Sequence, residues 1–162
     1  MEIRDATDAD VAGVLPMVAK ICALHEAWDA DRFRTKEHPE RMYDSWLRGR
    51  VRDRARSVFL VAEHDGRLVG YVVCTIEAEI PIYWTPECGW VHDLWVDEQY
   101  RHEGVGRQMA MLVVERFTAL GVKQIRLQTA APNEAARSLF ASCGFRVSTL
   151  EMLLSVNSGA NE

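Results

Sequence analysis

The chain has 162 residues, which suits one domain that buries a sizeable core. Its hydrophobic fraction of 48% and charged fraction of 27% are ordinary for a globular protein in water, and its net charge of −5 disfavours nucleic acid as a partner. The start lacks the apolar stretch of a signal peptide, and no apolar run comes near the roughly 18 residues of a membrane-spanning helix, so we expect a cytoplasmic protein that does not bind a membrane.

The first part of the chain predicts one strand and two helices. Residues 2–6 predict a short strand, and residues 7–10 have the form of a helix capping box in which Asp10 replaces the usual Glu. The polar segment 27–36 predicts a mobile connection, and residues 38–50 predict the second helix. The first helix has one apolar face, formed by Val11, Val14, Leu15, Val18, Ile21, Cys22 and Leu24.

The middle of the chain predicts a hairpin, a further strand and a helix. Residues 58–63 and 68–78 predict strands joined at Asp65-Gly66, because Asp-Gly is a strong hairpin signal. The β-branched and aromatic residues 89–96 predict a buried strand. Residues 107–120 predict the helix that follows.

The last part predicts a strand over 123–129, a helix over 133–142, closing strands over 146–156 and a frayed tail over 157–162. Antiparallel hairpins come first and a strand-helix-strand crossover follows, so the predicted sheet is mixed. The predicted fold class is therefore α/β, or α+β by some conventions.

The turn between the strand 89–96 and the next helix has the form of an anion site. Its sequence is Arg101-His102-Glu103-Gly104-Val105-Gly106. The first N–H groups of a helix have no intrahelical partner, the helix dipole adds about half a positive charge, and glycine lets a phosphate approach the backbone. The spacing differs from the dinucleotide-binding G-x-G-x-x-G, and the Lys-Ser/Thr pair of nucleotide triphosphatases is missing. We expect a phosphorylated ligand here, the alternative being a plain loop with two turn glycines.

The sequence resembles the GNAT superfamily of N-acetyltransferases in three separated pieces. Residues 94–106 resemble the signature in which a strand leads into R-x-x-G-x-G and a helix. Residues 133–145 resemble the second signature, an Asn-led helix that ends in Gly-Phe. Residues 58–63 and 65–73 are similar to the hairpin that opens the sheet of the family. The pieces follow the order of the family and cover most of residues 1–156.

The resemblance implies one domain over residues 1–156, with a mostly antiparallel sheet that is flanked by helices. The sheet is expected to splay at its centre, between the strand ending at Val96 and the strand 124–129, where the family holds the pantetheine arm of acetyl-CoA. The turn N–H groups would hold the pyrophosphate, and Asn133 would bond the arm unless it is a plain helix N-cap. The implied cofactor-binding residues are Leu94, Trp95, Val96, Arg101, His102, Glu103, Gly104, Val105, Gly106, Arg107, Asn133 and Phe140.

One departure from the family lies at Phe140, where many members carry a Tyr that can protonate the departing thiolate. Phenylalanine has no proton to give, so either another group serves or water protonates the thiolate. Water is plausible because a thiol with a pKa of about 8.5 is a fair leaving group. Phe140 would then be only a wall against the pantetheine, and the sequence leaves the source of the proton open.

His92 is the candidate general base. A primary amine has a pKa of about 10 and must lose a proton before it attacks the thioester, and an imidazole with a pKa of about 6.5 suits that task. Polyamine acetyltransferases of the family carry Glu followed by Asp where this chain has His92 and Asp93. Strand alternation predicts that the two side chains point to opposite faces, unless a bulge turns Asp93 inward. The alternatives are a histidine that merely fills the sheet, or a base among Glu77, Glu79 and Glu87 acting through water.

The acceptor site is expected around the aromatic loop 81–86, just ahead of the strand 89–96. Carboxylates beside aromatic rings suit a cationic amine, and the alternative is a solvated loop with incidental charges. Residues that follow the first helix are expected to form the opposite wall. The candidate substrate residues are Glu77, Glu79, Trp28 and Tyr83.

No metal site is expected. The four cysteines share no C-x-x-C spacing, so neither a disulfide framework nor a zinc site is indicated. Cys88 and His92 offer two ligands at most, and nothing supplies a convincing third and fourth.

Two classes of function remain open. The first is an N-acetyltransferase that moves the acetyl group of acetyl-CoA to an amine of a small molecule, or to a protein amine, by direct attack in a ternary complex. The second is a non-catalytic acyl-CoA-binding domain that regulates a partner. A homodimer is expected, because the short segment 146–156 leaves an exposed apolar edge strand. The sequence does not distinguish one acceptor amine from another.

Overall fold

The computed structural model describes residues 1–156 of the chain. These residues form a five-stranded sheet, five α-helices and a 3-10 turn over Glu98–Tyr100. In chain order the elements are β1 (Glu2–Asp5), α1 (Val11–Trp28), α2 (Ala30–Phe33), α3 (Pro39–Arg52), β2 (Ser57–His64), β3 (Arg67–Ala78), β4 (Glu87–Val96), α4 (Val105–Ala119), β5 (Ile125–Leu127) and α5 (Glu134–Ser142).

The sheet is mixed, with the strand order β1-β2-β3-β4-β5. The first four strands pair antiparallel, and β5 pairs parallel to β4 after the α4 crossover. The hairpin turn predicted at Asp65-Gly66 is present, since both residues adopt the left-handed backbone of a two-residue turn, with φ of 50° and 74°. The predicted class, α/β with a mostly antiparallel mixed sheet, is confirmed.

Helices cover both faces of the sheet, so each face has its own apolar core. On one face α4 inserts Met109, Val113 and Phe117 against the strands. On the other face α1 and α3 pack over Tyr71 and the neighbouring apolar residues of β2 and β3. Strands β2 and β3 are buried on both sides, which explains their nearly continuous apolar runs.

Helix α1 has 18 residues and a mean hydropathy of 1.3, so by length and composition alone it could cross a membrane. The core helix of a globular protein meets the same criterion. All seven residues of the predicted apolar face lie in or against the core beneath α1 and α3, which confirms that face. Five of the helix residues are fully buried there: Val11, Val14, Met17, Val18 and Ile21.

The predicted capping box at the start of α1 is only half formed. Asp10 accepts a hydrogen bond from the Thr7 N–H at 2.8 Å, but the Thr7 hydroxyl donates to Asp10 instead of capping the helix. Asp10 also accepts two hydrogen bonds of 2.8 Å from Arg4. Its carboxylate therefore ties β1 to the start of α1, and the helix begins only at Val11.

The mobile connection predicted over 27–36 is wrong. Helix α1 continues to Trp28, and the short helix α2 follows with Asp29 as its N-cap. The ring centroid of His25 lies 5.5 Å from that of Trp28 and 5.1 Å from that of Phe33. Packing among three aromatic rings orders this segment, and its polar composition concealed that packing.

The closing strands predicted over 146–156 are also wrong, because these residues form no strand. They lie beside α2, where Arg32 donates to Glu151 at 2.8 Å and Ser155 donates to Asp31 at 2.8 Å. Strand β5 has only three residues, so it offers little edge for a further strand to pair with. The large exposed apolar side chains of the segment are Val147, Leu150, Met152, Leu153, Leu154 and Val156. The tail predicted over 157–162 lies outside the described residues.

Candidate functional site

The sheet opens between β4 and β5. The two strands pair over three residue pairs only, from Gly89 with Ile125 to Val91 with Leu127. Beyond Val91, β4 continues to Val96 and, among the described residues, pairs only with β3. The β5-facing edge of β4 thus offers backbone groups beyond the end of β5, where an extended chain of amides can add as a strand does. The splay expected between these two strands is present.

The turn after β4 presents a row of backbone N–H groups. His102 and Gly104 have left-handed φ values of 66° and 85°, and such residues curve successive N–H groups into an anion-binding concavity. Within residues 1–156, no acceptor takes the N–H groups of residues 102–107. We call residues 102–107 the N–H turn; its geometry suits a phosphate at a helix N-terminus.

Arg101 closes the end of β4. Its Nε donates to the carbonyl of Val96 at 2.9 Å, and its guanidinium lies 4.8 Å from the ring centroid of Trp95. The side chains of Leu94 and Val96 lie in the core beneath α4, and that of Trp95 lies in the opposite core. Only the backbone of these three residues is therefore presented to the gap, which is the role that the resemblance gives them.

Gly106 lets α4 approach its neighbours closely. A Cβ atom at this position would lie 3.3 Å from Leu139 and 3.7 Å from Leu94 and Val96. A large side chain would therefore press against α5 and β4 beside the N–H turn. The free N–H groups of the turn suit the pyrophosphate of coenzyme A.

Asn133 and Phe140 both have structural partners on α5. Asn133 is the helix N-cap, and its Oδ1 accepts a hydrogen bond from the N–H of Ala136 at 3.0 Å. Its Nδ2 donates to no acceptor in the described part of the chain. Phe140 is 8% exposed, and its ring packs edge-on against Phe145 with centroids 5.3 Å apart. Phe140 is thus a core residue with no group that can donate a proton.

Strand β4 contains a bulge at His92. Asp93 pairs with Val73 and Val91 pairs with the next β3 residue, Cys74, so His92 has no partner of its own in the ladder. An extra residue in one strand interrupts the regular alternation of side chains between the two faces.

The bulge brings His92 and Asp93 to the same side of the sheet. The His92 ring lies 5.1 Å from the ring of Trp46 on α3, and Asp93 interacts with Tyr43, one turn earlier on that helix. The sequence predicts opposite faces for a regular strand and leaves a bulge open as the exception. The structure contains such a bulge, at His92, so the two side chains share one face.

His92 is held by a chain of polar contacts. Its Nε2 lies 2.6 Å from Oγ1 of Thr75, which in turn donates to Glu77 at 2.5 Å. Nε2 of His92 also lies 3.6 Å from Oε1 of Glu77. Burial lowers the pKa of His92, Glu77 opposes that change, and the positive charge of Arg50 adds to it. The imidazole is therefore neutral at neutral pH, as a general base must be.

Asp93 is a buried carboxyl beside two tyrosine hydroxyls. Burial raises its pKa to about 6, and the hydroxyls of Tyr71 and Tyr43 oppose that rise in part. Burial also raises the pKa of both tyrosines, so their hydroxyls remain protonated. With a pKa of about 6, the Asp93 carboxyl is a second group beside His92 that titrates near neutral pH.

Thr75 and Trp46 belong to this cluster, and sequence reasoning missed both. The position of Thr75 depends on how β3 pairs with β4, and that register includes a bulge whose position the sequence does not indicate. Trp46 lies three residues after Tyr43 and four before Arg50, so the three share one helix face. That spacing is the signal that could have identified it.

The predicted carboxylates separate in the structure. Glu77 joins His92, as described above. Glu79 forms an ion pair with Arg126 of β5 at 2.7 Å, and Glu87 forms one with Arg56 at 2.7 Å. Two of the three carboxylates are thus already paired with arginines, and Glu77 is the one placed to assist the histidine.

The predicted aromatic substrate residues lie apart from each other. Tyr83 is exposed in the loop between β3 and β4. Trp28 is half-buried at the end of α1, where it packs against His25. Neither ring is part of the polar cluster around His92.

Metal-binding groups are not assembled in residues 1–156, where no three or more His, Cys, Asp and Glu side chains could hold an ion. The four cysteines are free thiols. Burial raises the pKa of Cys74 well above its ordinary value, which keeps that thiol protonated.

Comparison with known proteins identifies the family. Residues 22–145 match the acetyltransferase (GNAT) family. An uncharacterized N-acetyltransferase from Archaeoglobus fulgidus is 30% identical over 112 residues, which are 69% of this chain and 73% of that protein. The BH1408 protein from Bacillus halodurans, solved as a tetramutant, has a TM-score of 0.83 at 26% identity, covering 96% of this chain and 100% of that one. A predicted acetyltransferase from Clostridium acetobutylicum, solved with acetyl-CoA, shares the fold with a TM-score of 0.75 at 15% identity, covering 95% of each chain. This chain belongs to the acetyltransferase (GNAT) family, and it is an acyltransferase.

Proposed function

We propose that this enzyme moves the acetyl group of acetyl-CoA to a primary amine of a small molecule, by direct attack in a ternary complex. The observation that carries the proposal is the arrangement along β4. The open edge begins at His92 and ends at the N–H turn. Four residues of strand span about 13 Å, so a ligand held by its phosphates at the turn and by its amides along the edge reaches His92 with its far end.

The contacts of His92 define how it would accept the proton. With Thr75 donating to Glu77, the Thr75 oxygen accepts from Nε2–H of His92, which leaves the lone pair on Nδ1. Nδ1 then takes the proton of the amine as the amine attacks. Glu77 stabilises the resulting imidazolium through the Thr75 hydroxyl, much as a carboxylate orients and stabilises a catalytic histidine directly.

The leaving thiolate receives no proton from α5 in this proposal. Phe140 occupies the position of the family's tyrosine, and its ring is buried against Phe145. A thiol with a pKa of about 8.5 leaves as a thiolate without general acid assistance, and water protonates it afterwards.

The acceptor class follows from the groups beside His92. Glu77 supplies a half-exposed carboxylate, and Trp46 supplies an aromatic ring beside His92. Both suit an amine that arrives protonated and must lose its proton in the site. A small cationic amine is therefore the proposed substrate.

Thiol release from acetyl-CoA tests the proposal. The acceptors are a panel of small amines and a set of peptides with free N-termini or lysines, and a reaction without acceptor gives the rate of hydrolysis. Release above hydrolysis with a small amine supports the proposal. Release with peptides alone would show that the acceptor is a protein amine. Normal binding of acetyl-CoA with no thiol release above hydrolysis for any acceptor would show that the protein is a non-catalytic acyl-CoA-binding domain.

We also propose that the enzyme is a homodimer. The expected closing strands do not form, but the segment 147–156 still exposes six large apolar side chains. Large exposed apolar surfaces often mark sites of protein–protein contact. A second copy that covers this segment would remove these apolar side chains from water.

A further inference from the structure

A second concave site lies at the opposite end of α4 from the N–H turn. It is a cavity of about 210 Å³ between the ends of α3 and α4 and the ends of β1 and β2. Helix α4 has 15 residues, so the cavity is about 20 Å from the N–H turn. The residues that decide its chemistry are Asp5, Arg50, Arg54, Ser57 and Arg116.

The cavity is positively charged within an acidic protein. Arg54 and Arg116 contact the same oxygen of Asp5, at 3.3 and 3.5 Å, so one carboxylate serves two guanidinium groups. Arg50 adds a third positive charge and forms no ion pair among residues 1–156. The C-terminal ends of α3 and α4 contribute about half a negative charge each, which leaves a local sum of about +1.

Two polar groups in the cavity wall have no partner. The Ser57 side chain is 5% exposed, and its Oγ makes no hydrogen bond with any described residue. The Nε of Arg50 is likewise buried without an acceptor in that part of the chain. Buried donors without acceptors are rare in folded proteins, and both of these donors suit an anionic oxygen.

We propose that this cavity binds a small oxyanion, either a carboxylate or a phosphate group, through Arg50, Ser57, Arg54 and Arg116. A volume of about 210 Å³ corresponds to about seven water molecules in the liquid. That room suits one compact anion and is too small for a drug-sized ligand. The cavity is separate from the N–H turn and shares no residue with it.

The oxyanion site has two structural links to His92. Ser57 pairs across the sheet with Thr75, whose hydroxyl contacts His92. The guanidinium of Arg50 lies 5.7 Å from the Trp46 ring centroid, and the Trp46 ring lies 5.1 Å from His92. An occupant of the cavity therefore acts on residues that touch His92.

The charges around His92 give the sign of this coupling. Glu77 faces it from β3, Arg50 acts on it from α3, and Asp93 follows it on β4. The charge of Arg50 lowers the pKa of His92, so an anion paired with Arg50 raises that pKa. By reciprocity, protonation of His92 strengthens anion binding.

Calorimetric titration with inorganic phosphate and with malonate, in a Tris buffer at low ionic strength, tests the site. We expect one saturable site for at least one anion, with at least tenfold weaker binding in Arg50→Gln. Arg52→Gln is the matched control, because Arg52 ends the same helix, is 69% exposed and pairs with Asp8 outside the cavity. Tighter phosphate binding assigns a phosphate group to the site, and tighter malonate binding assigns a carboxylate.

Ser57→Ala separates binding from folding. The Ser57 hydroxyl has no partner in the free protein, so its removal should leave the melting temperature without anion unchanged or higher, while anion binding weakens. Histidine NMR supplies a readout independent of binding heat, in which saturating anion should raise the pKa of His92 in the wild type and not in Arg50→Gln. The site is overturned if Arg50→Gln binds as the wild type does, if neither anion shows saturable binding, or if only Gly106→Glu removes phosphate binding.

Discussion

Nε2 of His92 lies 2.6 Å from Oγ1 of Thr75, so a hydroxyl on the neighbouring strand, rather than a carboxylate, holds the proposed base directly. The hydroxyl in turn contacts Glu77. This arrangement ties the orientation of the imidazole to one side chain that can be changed without altering the volume of the site.

Thr75→Val should lower kcat/KM about tenfold, because it removes a hydrogen bond worth about 1.4 kcal/mol to the imidazolium and leaves the ring less well oriented. Thr75→Ser keeps the hydroxyl and is the matched control, with a rate near that of the wild type. Steady-state kinetics at neutral pH with a responsive amine gives both values. Equal losses in the two variants would mean that the hydroxyl has no part in the reaction.

His92→Gln should lower kcat/KM by about 10²–10⁴-fold, as loss of a general base does, and leave acetyl-CoA affinity unchanged. In the wild type kcat/KM should rise with pH along a limb centred below about 6.5, because burial lowers the pKa of His92 and the neutral form is the active one. Glu77→Gln removes the group that opposes this shift, so the limb should move to still lower pH. A near-normal rate and an intact limb in His92→Gln would exclude this histidine and point to Glu77 acting through water.

The elements were predictable where the local signals were strong. The apolar face of α1, the Asp-Gly turn and the glycine turn before α4 each follow from residues close together in sequence, and the structure contains all three. The failures fall where long-range packing decides. The order in 27–36 comes from aromatic rings that pack together, and the segment 146–156 contacts α2 instead of pairing as a strand.

The cluster around His92 was predictable only in part. His92 itself and Glu77 could be named from the sequence, because their residue types suit proton transfer near an amine. The bulge could not be located, since a single extra residue in β4 leaves no mark on the apolar pattern. Without the bulge neither Thr75 nor Trp46 could be assigned to the histidine, and His92 was not expected on the same face as Asp93.

Gly106→Glu should abolish the rise in melting temperature that acetyl-CoA gives the wild type, because the side chain brings volume and negative charge to the mouth of the N–H turn. Gly49→Glu is the control, since Gly49 lies in α3 with no atom within 4 Å of a built Cβ. Thermal denaturation over a range of acetyl-CoA concentrations measures both variants. Unchanged stabilisation of Gly106→Glu would contradict the assignment of the turn to the pyrophosphate.

Asp93→Asn should stabilise the protein at neutral pH and make little difference at pH 4. The folded pKa of about 6 lies above the unfolded value, so the folded protein binds the extra proton and loses stability as pH rises through that range. A shift of about two pKa units corresponds to about 3 kcal/mol of unfolding free energy, which the wild type loses as Asp93 ionises. Asparagine does not ionise, so the variant should keep that stability. Denaturant unfolding of both proteins at pH 4 and pH 7.5 gives the difference. A difference that is the same at both pH values would show that Asp93 does not titrate in this way.

Light scattering should give a mass twice the 18.4 kDa of one chain. Met152→Asp and Leu154→Asp should each shift the protein toward the monomer, because these side chains are 94% and 86% exposed and an added charge opposes their burial against a second copy. Met42→Asp, at a residue 63% exposed on α3, is the control and should leave the mass unchanged. A wild-type mass near 18.4 kDa at working concentration would rule out the dimer.

The short ladder between β4 and β5 makes this end of the sheet its least protected part. Only three residue pairs join β5 to the rest of the sheet, whereas the β2, β3 and β4 ladders extend over most of their strands. Amide hydrogens of residues 125–127 should therefore exchange with solvent by local opening, well before those of β3. Acetyl-CoA bound along β4 should slow that exchange, because its amides would pair with the part of the β4 edge that β5 leaves open.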